Sequence, residues 1–171
     1  MGEQTFNSAT IIIKSQMSDD SPPVLLYDGV CGLCDRVVQF VIRHDRQGAF
    51  RFAALQSVFA ARILRRHGLD PAFQNSLVIV LKLETTQERL LFGSNGALYL
   101  LQALEPPWPF LARFTMILPH ALRELGYRLV AASRYRVFGK YDTCPLPSPD
   151  VRSRFLDAAT PLQSDKSTSS Y

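Results

Sequence analysis

Short apolar runs alternate with amphipathic segments from residue 22 to about residue 104. Uninterrupted apolar runs are typical of strands buried on both faces, and apolar positions that recur every three or four residues predict helices. The resulting order of elements is βαβ, a helix, then ββα. The predicted strands are residues 24–27, 50–53, 77–83 and 89–92, and the predicted helices are residues 34–45, 56–67 and 97–104.

This order matches the thioredoxin arrangement, in which a parallel βαβ half is joined by a helix to an antiparallel ββα half. We therefore predict an α/β fold, a thioredoxin-like βαβ-α-ββα three-layer sandwich with a helical C-terminal extension. The predicted boundaries are a disordered leader (1–21), the thioredoxin-like core (22–105), the extension packed on the core (106–157) and a disordered tail (158–171). In such a fold the turn after the first strand lies at the carboxyl edge of the sheet, where α/β proteins hold their sites.

The longest apolar stretch, Pro107 to Pro119, follows this core. It contains Arg113 and is too short to span a bilayer of about 30 Å as a helix, so we predict a helix buried in the core and no membrane span. Basic residues follow it and are opposed by Glu124 alone. Such a face could meet nucleic acid, an acidic protein or a membrane surface, but it is more often a solvated helix face, and no nucleic-acid motif accompanies it. The basic residues are Arg123, Arg128, Arg134, Arg136 and Lys140.

Two cysteines, Cys31 and Cys34, stand where the first predicted strand gives way to the first predicted helix. The unpaired amide groups and the dipole at a helix start favour an anion, so they favour the thiolate at Cys31, and the thiolate is the nucleophile. The two-residue spacer lets Cys34 reach a mixed disulfide formed at Cys31 and resolve it. This pattern predicts thiol-disulfide chemistry.

Two other interpretations of the cysteine pair stay open. Two cysteines at this spacing also form half of a zinc site, which here would use Cys144 as a further ligand, and small cysteines also pack in cores without any chemistry. The histidines His44, His67 and His120 lack ligand spacing, so we expect no metal site. Cys144 lies in a predicted loop and could instead relay oxidation from the pair, although packing is the commoner role of a lone cysteine.

Asp28 precedes the pair, and its role is open between two functions. Its carboxylate could accept the proton of Cys34 during the second step of exchange. It could equally fix the turn by accepting backbone amide hydrogen bonds. A negative charge this close would oppose ionisation of Cys31, and Arg36 is a candidate to offset it.

Several separated blocks resemble one known family in the correct order. The run Asp28-Gly29-Val30-Cys31-Gly32-Leu33-Cys34 resembles the D-x-x-C-x-x-C signature of the DCC family of thiol-disulfide oxidoreductases, a thioredoxin-like group. The likeness extends over most of residues 23–156. The further blocks are residues 37–43, 50–57, 134–140 and 144–147.

This resemblance implies a thioredoxin-like oxidoreductase that exchanges its dithiol with protein or low-molecular-weight thiols and disulfides. Cys31 would attack, Cys34 would resolve, and Asp28 would accept a proton or anchor the turn. No metal or organic cofactor is expected, because the dithiol itself carries two electrons. An inactive interaction module of the same fold is the alternative. The chain departs from thioredoxins at Asn75-Ser76, where those proteins place a cis-proline that helps to dock substrate.

Three cysteines in 171 residues are too few for a disulfide scaffold, and the N-terminus does not resemble a signal peptide. These features are typical of a reducing, intracellular compartment, and we predict a cytoplasmic location.

Overall fold

The structure, a computed structural model, describes residues 21–70, 77–140, 149 and 151–157. Four sequence predictions lie outside these residues: the leader up to residue 20, the tail from residue 158, the interpretations of Cys144, and the departure at Asn75-Ser76.

The described residues form one four-stranded mixed sheet in the order β2-β1-β3-β4. Strand β1 pairs in parallel with β2 and antiparallel with β3, and β3 pairs antiparallel with β4. Leu26 of β1 lies between Ala53 of β2 and Val78 of β3. The strands are β1 (Val24–Tyr27), β2 (Arg51–Ala54), β3 (Leu77–Leu81) and β4 (Arg89–Phe92).

Five helices and one short 3₁₀ helix accompany the sheet in the described part of the chain. Ser57 begins the second helix by accepting a hydrogen bond from the Ala60 amide at 3.1 Å, the usual function of serine at that position. The helices are α1 (Gly32–His44), α2 (Val58–Arg66), α3 (Gly93–Ala103), α4 (Trp108–Thr115) and α5 (His120–Phe138), and the 3₁₀ helix is Arg152–Arg154.

The two faces of the sheet are covered by different helices. Leu25 of β1 belongs to the apolar cluster that contains Val38 of α1 and Leu100 of α3. Leu26, the next residue of β1, belongs to the opposite cluster with Ile63 of α2. Because successive strand residues point to opposite faces, this alternation defines three layers. The predicted thioredoxin-like α/β fold is confirmed.

The start of α3 differs from its prediction. The sequence predicts a helix over residues 97–104, yet α3 begins at Gly93. The carboxylate of Glu124, from α5, accepts hydrogen bonds from the Ser94 amide at 3.2 Å and the Ser94 hydroxyl at 3.0 Å. The helix start is therefore capped by a residue 30 positions away along the chain, which no local pattern reveals.

The prediction of a buried helix within Pro107–Pro119 is wrong. Helix α4 forms there, but Phe114 is 70% exposed and Ile117, just after the helix, is 77% exposed. Of the 13 exposed large apolar side chains in the described part of the chain, all but Val58 and Phe92 lie between residues 110 and 137. We call the following set the apolar surface of α4 and α5: Phe110, Leu111, Phe114, Met116, Ile117, Leu118, Leu122, Leu125, Leu129 and Val130.

None of the described helices combines the length and the apolar character that crossing a membrane requires.

Candidate dithiol site

The chain turns from β1 into α1 over residues 28–31. The amide of Cys31 donates to the carbonyl of Asp28 at 3.2 Å, and the amide of Val30 donates to the Asp28 carboxylate at 3.2 Å. Cys31 is the extended residue that immediately precedes α1, and its carbonyl accepts the first helical hydrogen bond, from Asp35 at 3.0 Å. The turn thus brings Cys31 to the helix start, as the sequence predicted.

Cys31 and Cys34 are free thiols one helical turn apart. Burial, followed by the charge and the hydrogen bond of Cys31, raises the pKa of Cys34 to about 12, and the amide of Asp28 opposes this rise through a hydrogen bond. Cys34 is therefore a neutral thiol at physiological pH.

Neither cysteine reaches the surface in this conformation. Cys31 is 0% exposed and Cys34 is 3% exposed, and both belong to the core cluster between the sheet and α1. The sequence located the pair at the helix start but did not predict that both thiols would be enclosed.

The end of α5 covers the Cys-x-x-C segment. The Gly32 amide donates to the Gly139 carbonyl at 3.3 Å, and Cys31 forms an antiparallel bridge with Lys140. A Cβ atom added at Gly32 would lie 2.2 Å from the Phe138 carbonyl oxygen. Glycine is required in the spacer because the backbone of α5 passes too close for any side chain.

Asp28 is buried, at 1% exposed, and four donors surround its carboxylate. One oxygen accepts from Gln56 at 2.9 Å as well as from the Val30 amide. The other accepts from the Tyr135 hydroxyl and lies 3.5 Å from the Arg134 guanidinium. Asp28 therefore makes the turn contact that one of its two predicted roles requires, and it also lies beside Cys34.

Gln56 joins the turn after β1 to the loop after β2. Its amide group donates to Asp28, and its carbonyl oxygen accepts from the Gly29 amide at 3.1 Å. Because parallel strands end at the same edge of the sheet, these two loops are adjacent. The sequence predicts Gln56 at the start of a helix and within the block 50–57 that resembles the family, without a role in the site.

Arg134 and Tyr135 of α5 complete the site. Arg134 is 7% exposed and donates to the Tyr135 hydroxyl at 2.9 Å. Burial lowers the pKa of Arg134, but the hydrogen bond with Tyr135 and the charges of Tyr135, Cys31 and Cys34 outweigh it and raise the pKa overall. Burial raises the pKa of Tyr135, and the hydrogen bond to Asp28 adds to the rise, so the phenol stays a donor.

Arg134, not Arg36, is the cation beside Asp28, so the interpretation of Arg36 is wrong. The Arg36 guanidinium lies over the Phe138 ring, 5.5 Å from its centroid. The sequence predicts Arg134 on a basic helix face that is normally solvated. The resemblance of residues 134–140 to the family is the one signal in the sequence that points to Arg134 and Tyr135, and it assigns them no role.

No three His, Cys, Asp or Glu side chains within residues 21–70, 77–140, 149 and 151–157 are grouped so that they could hold a metal ion. The zinc interpretation depends on Cys144, which lies outside these ranges.

The chain has a thioredoxin-like fold and two free thiols at the start of its first helix. These two features place it in the class of thioredoxin-like dithiol proteins. Residues 25–140, more than half of the chain, match the family described as DCC1-like thiol-disulfide oxidoreductase. The chain belongs to this DCC family. The matched region ends at Lys140, so it includes α4 and α5 together with the sheet.

Two curated relatives support this assignment. The uncharacterized protein YuxK of Bacillus subtilis is 35% identical over 133 residues, which cover 78% of this chain and 93% of that protein. A chloroplastic DCC family protein of Arabidopsis thaliana is 37% identical over 133 residues, covering 78% of this chain and 74% of that protein. No solved structure matches the chain at a significant level.

Proposed function

We propose that this protein is a thiol-disulfide oxidoreductase that exchanges the Cys31/Cys34 dithiol with the disulfides of proteins or small molecules. The observation that carries the proposal is the pair of free thiols, one helical turn apart, at the start of α1. A family described by thiol-disulfide chemistry supports the same reaction class. The cytoplasmic location stays a prediction, and the Arabidopsis relative is described as chloroplastic.

The reaction has two displacement steps. The Cys31 thiolate attacks one sulfur of a substrate disulfide, that disulfide breaks, and the first substrate thiolate leaves. Cys34 then loses its proton and attacks the Cys31 sulfur, and the second substrate thiolate leaves as the Cys31–Cys34 disulfide forms. Two electrons pass from the dithiol to the substrate, and an external thiol reductant restores the dithiol.

The environment of Cys34 supports the division of roles between the cysteines. A thiol whose pKa is raised to about 12 is a poor first nucleophile at neutral pH, whereas Cys31 occupies the helix start. Cys34 therefore needs a base for the second step. We propose Asp28 as that proton acceptor, since its buried carboxylate is an electrostatic neighbour of Cys34.

The enclosure of Cys31 adds a condition to the proposal. A substrate disulfide reaches the Cys31 sulfur only after residues 138–140 move away from Cys31 and Gly32. The contacts that hold this cover include the 3.3 Å hydrogen bond between Gly32 and Gly139 and the Cys31–Lys140 bridge. The same enclosure favours a second candidate, a thioredoxin-fold interaction module without redox activity.

A redox titration of the purified protein distinguishes these two candidates. Equilibration in glutathione buffers, acid quenching and alkylation should show one two-electron transition, which disappears in Cys31→Ser and persists in the matched variant Cys144→Ser. Retention of both thiols at every glutathione ratio would support the interaction module and contradict the enzyme.

Mixed-disulfide trapping tests the roles of the two cysteines. Cys34→Ser should accumulate a covalent adduct with a disulfide-bonded peptide, because the resolving thiol is lost while the attacking thiol remains. Cys31→Ser should not form the adduct. The reverse pattern would exchange the two roles.

Asp28→Asn separates proton transfer from turn anchoring. An asparagine oxygen still accepts the Val30 amide, so this turn contact is kept, but the side chain can no longer take a proton and Arg134 loses its buried anionic partner. We expect the second step of exchange to slow by roughly 10²-fold, measured as release of the second substrate thiol in rapid mixing. An unchanged rate would mean that Asp28 anchors the turn and does not accept the proton of Cys34.

A further inference from the structure

The apolar surface of α4 and α5 lies apart from the dithiol contacts. Leu122, Leu125 and Leu129 are spaced three and four residues apart, so they form one stripe along α5, and each is more than half exposed. Along the same helix, Arg134 and Tyr135 face the site. Arg134 is the only buried residue among the described residues 120–138 of α5, so the leucines of this helix lie on its exposed side. An exposed apolar face of this kind normally marks an interaction surface.

Positively charged residues outnumber acidic residues in the segment that contains this surface. Residues 106–140 contain six Lys or Arg residues and a single acid, Glu124, which is a net +5 against +4 for the whole chain. From Pro106 to Arg123 no acidic residue occurs. The rest of the chain carries a net charge of −1. Within residues 110–130, where the exposed apolar side chains lie, Arg113, Arg123 and Arg128 are opposed by Glu124 alone, a net +2, since Arg134 is buried beside Asp28.

The combination of exposed apolar side chains and positive charge distinguishes between possible binding partners of this surface. A second copy of the chain would bring an equally basic surface against the first, and like charges oppose such a pairing. An anionic bilayer offers negative headgroups for the arginines and an acyl boundary for the apolar side chains. Exposed Phe110 and Phe114 on α4, with exposed Arg113 between them, match that interface.

We propose that the apolar surface of α4 and α5 docks this protein on anionic lipid bilayers as a peripheral protein. Phe114 and Ile117 enter the boundary between headgroups and acyl chains, and Arg113 meets the headgroups. Tyr135 lies ten residues beyond Leu125, about 15 Å along the helix axis, so the dithiol site would be held close to the membrane without entering it.

Vesicle flotation of the full chain tests the proposal. The protein should float with vesicles of equal parts phosphatidylcholine and phosphatidylglycerol, with a partition coefficient at least about tenfold higher than for phosphatidylcholine alone, and the excess should fall in high salt. Phe114→Asp combined with Ile117→Asp should reduce binding by about tenfold or more. Val58→Asp is the matched control, since Val58 is 66% exposed on α2, and it should bind as the wild type does.

Charge reversal provides a second, milder arm. Arg113→Glu should weaken binding to the anionic vesicles by roughly fivefold or more, whereas Arg62→Glu, an exposed arginine on α2, should have little effect. Comparison of Arg113→Glu with Arg62→Glu tests the proposed membrane docking even if the double aspartate variant fails to fold.

Three results would overturn the proposal. One is equal binding to neutral and anionic vesicles, and another is wild-type binding by Arg113→Glu. The third is a dimer in light scattering that Ile117→Asp dissociates while vesicles bind nothing, which would assign the surface to a second copy. None of these results bears on the redox titration, so the proposed function and the docking surface fail independently.

Discussion

The two ends of α5 differ in what they contact, although they belong to one continuous helix. Near its C-terminus, Arg134 and Tyr135 reach Asp28, and the backbone from Phe138 to Lys140 lies against Cys31 and Gly32. In its first half, Leu122, Leu125 and Leu129 remain exposed. Glu124 in that half makes a tertiary polar contact, at the start of α3.

The comparison shows that arginines on one helix serve different purposes according to burial. Arg134 is enclosed and compensates a buried carboxylate, whereas Arg128 is exposed and makes a 3.4 Å pair with Glu124 on its own helix. A buried ion pair is costly to break because the remaining charge is left uncompensated. An exposed pair contributes little, since water and salt screen it. Stability should therefore depend strongly on Arg134 and hardly on Arg128.

Removal of Arg134 should give the largest effect. Arg134→Met keeps much of the side-chain volume but leaves the Asp28 charge without its cation, and we expect a loss of about 3 kcal/mol in the free energy of unfolding, measured in urea. The matched variant Arg128→Met should change it by about 0.5 kcal/mol or less. Equal effects of the two variants would remove the distinction between the two ends.

Gly32→Ala should have the next largest effect. Its new Cβ would lie 2.2 Å from the Phe138 carbonyl oxygen, so α5 must shift, and overpacking of this kind costs about 2 kcal/mol. The displaced cover should also speed alkylation of Cys31 in the native protein, read by mass spectrometry.

Gly126→Ala is the matched control for that glycine, because a Cβ there meets nothing within 4 Å. Alanine is the better helix former, so a gain of up to about 0.8 kcal/mol is expected. Native alkylation of Gly32→Ala at the wild-type rate would show that α5 does not cover Cys31.

The pH dependence of stability should report the enclosure of Cys34. Its pKa is raised from 9.0 to about 12 on folding, so the unfolded chain releases the proton first. The stabilisation from the buried neutral thiol is complete below pH 9 and is lost as the pH rises toward 12, by up to about 1.4 kcal/mol per pH unit.

Urea unfolding of the wild type and Cys34→Ala under reducing conditions, from pH 8 upward, isolates this contribution. The wild type should have the steeper decline. Parallel curves would mean that Cys34 is not enclosed.

The smallest effect is expected on the exposed stripe. Leu129→Gln should change the free energy of unfolding by about 0.5 kcal/mol or less, because Leu129 is already 63% exposed in the folded protein. A loss well above 1 kcal/mol in thermal or urea unfolding would place Leu129 in a packed environment and contradict the exposed first half of α5.

Much of the fold was predictable because its signals are local. The buried strands β1 and β3 are uninterrupted apolar runs, and β4 was predicted at Arg89–Phe92, where the structure has it. Ser57 caps the start of α2 with its own hydroxyl, a signal that depends on neighbouring residues alone. The start of α3 escaped prediction because its cap, Glu124, comes from another helix.

Only the residues of the candidate site that are close together in the sequence were predictable. Asp28, Cys31 and Cys34 lie within one turn and the first helical turn, so strand-to-helix patterning located them. Tyr135 is 107 residues from Asp28 along the chain, and no periodicity links the two. Arginine on an amphipathic helix normally faces solvent, so the burial of Arg134 contradicts the usual preference of its residue type.

The amino-acid sequence alone determined the order of strands and helices, the position of the thiol pair at a helix start, and the concentration of positive charge in residues 106–140. Each of these depends on neighbouring residues or on composition. The tertiary structure decided that α5 encloses the thiols, that Arg134 and Tyr135 serve Asp28, and that the apolar residues of α4 remain exposed. Those outcomes depend on which distant segments pack together, and the free energy of that packing belongs to the whole fold rather than to any one segment.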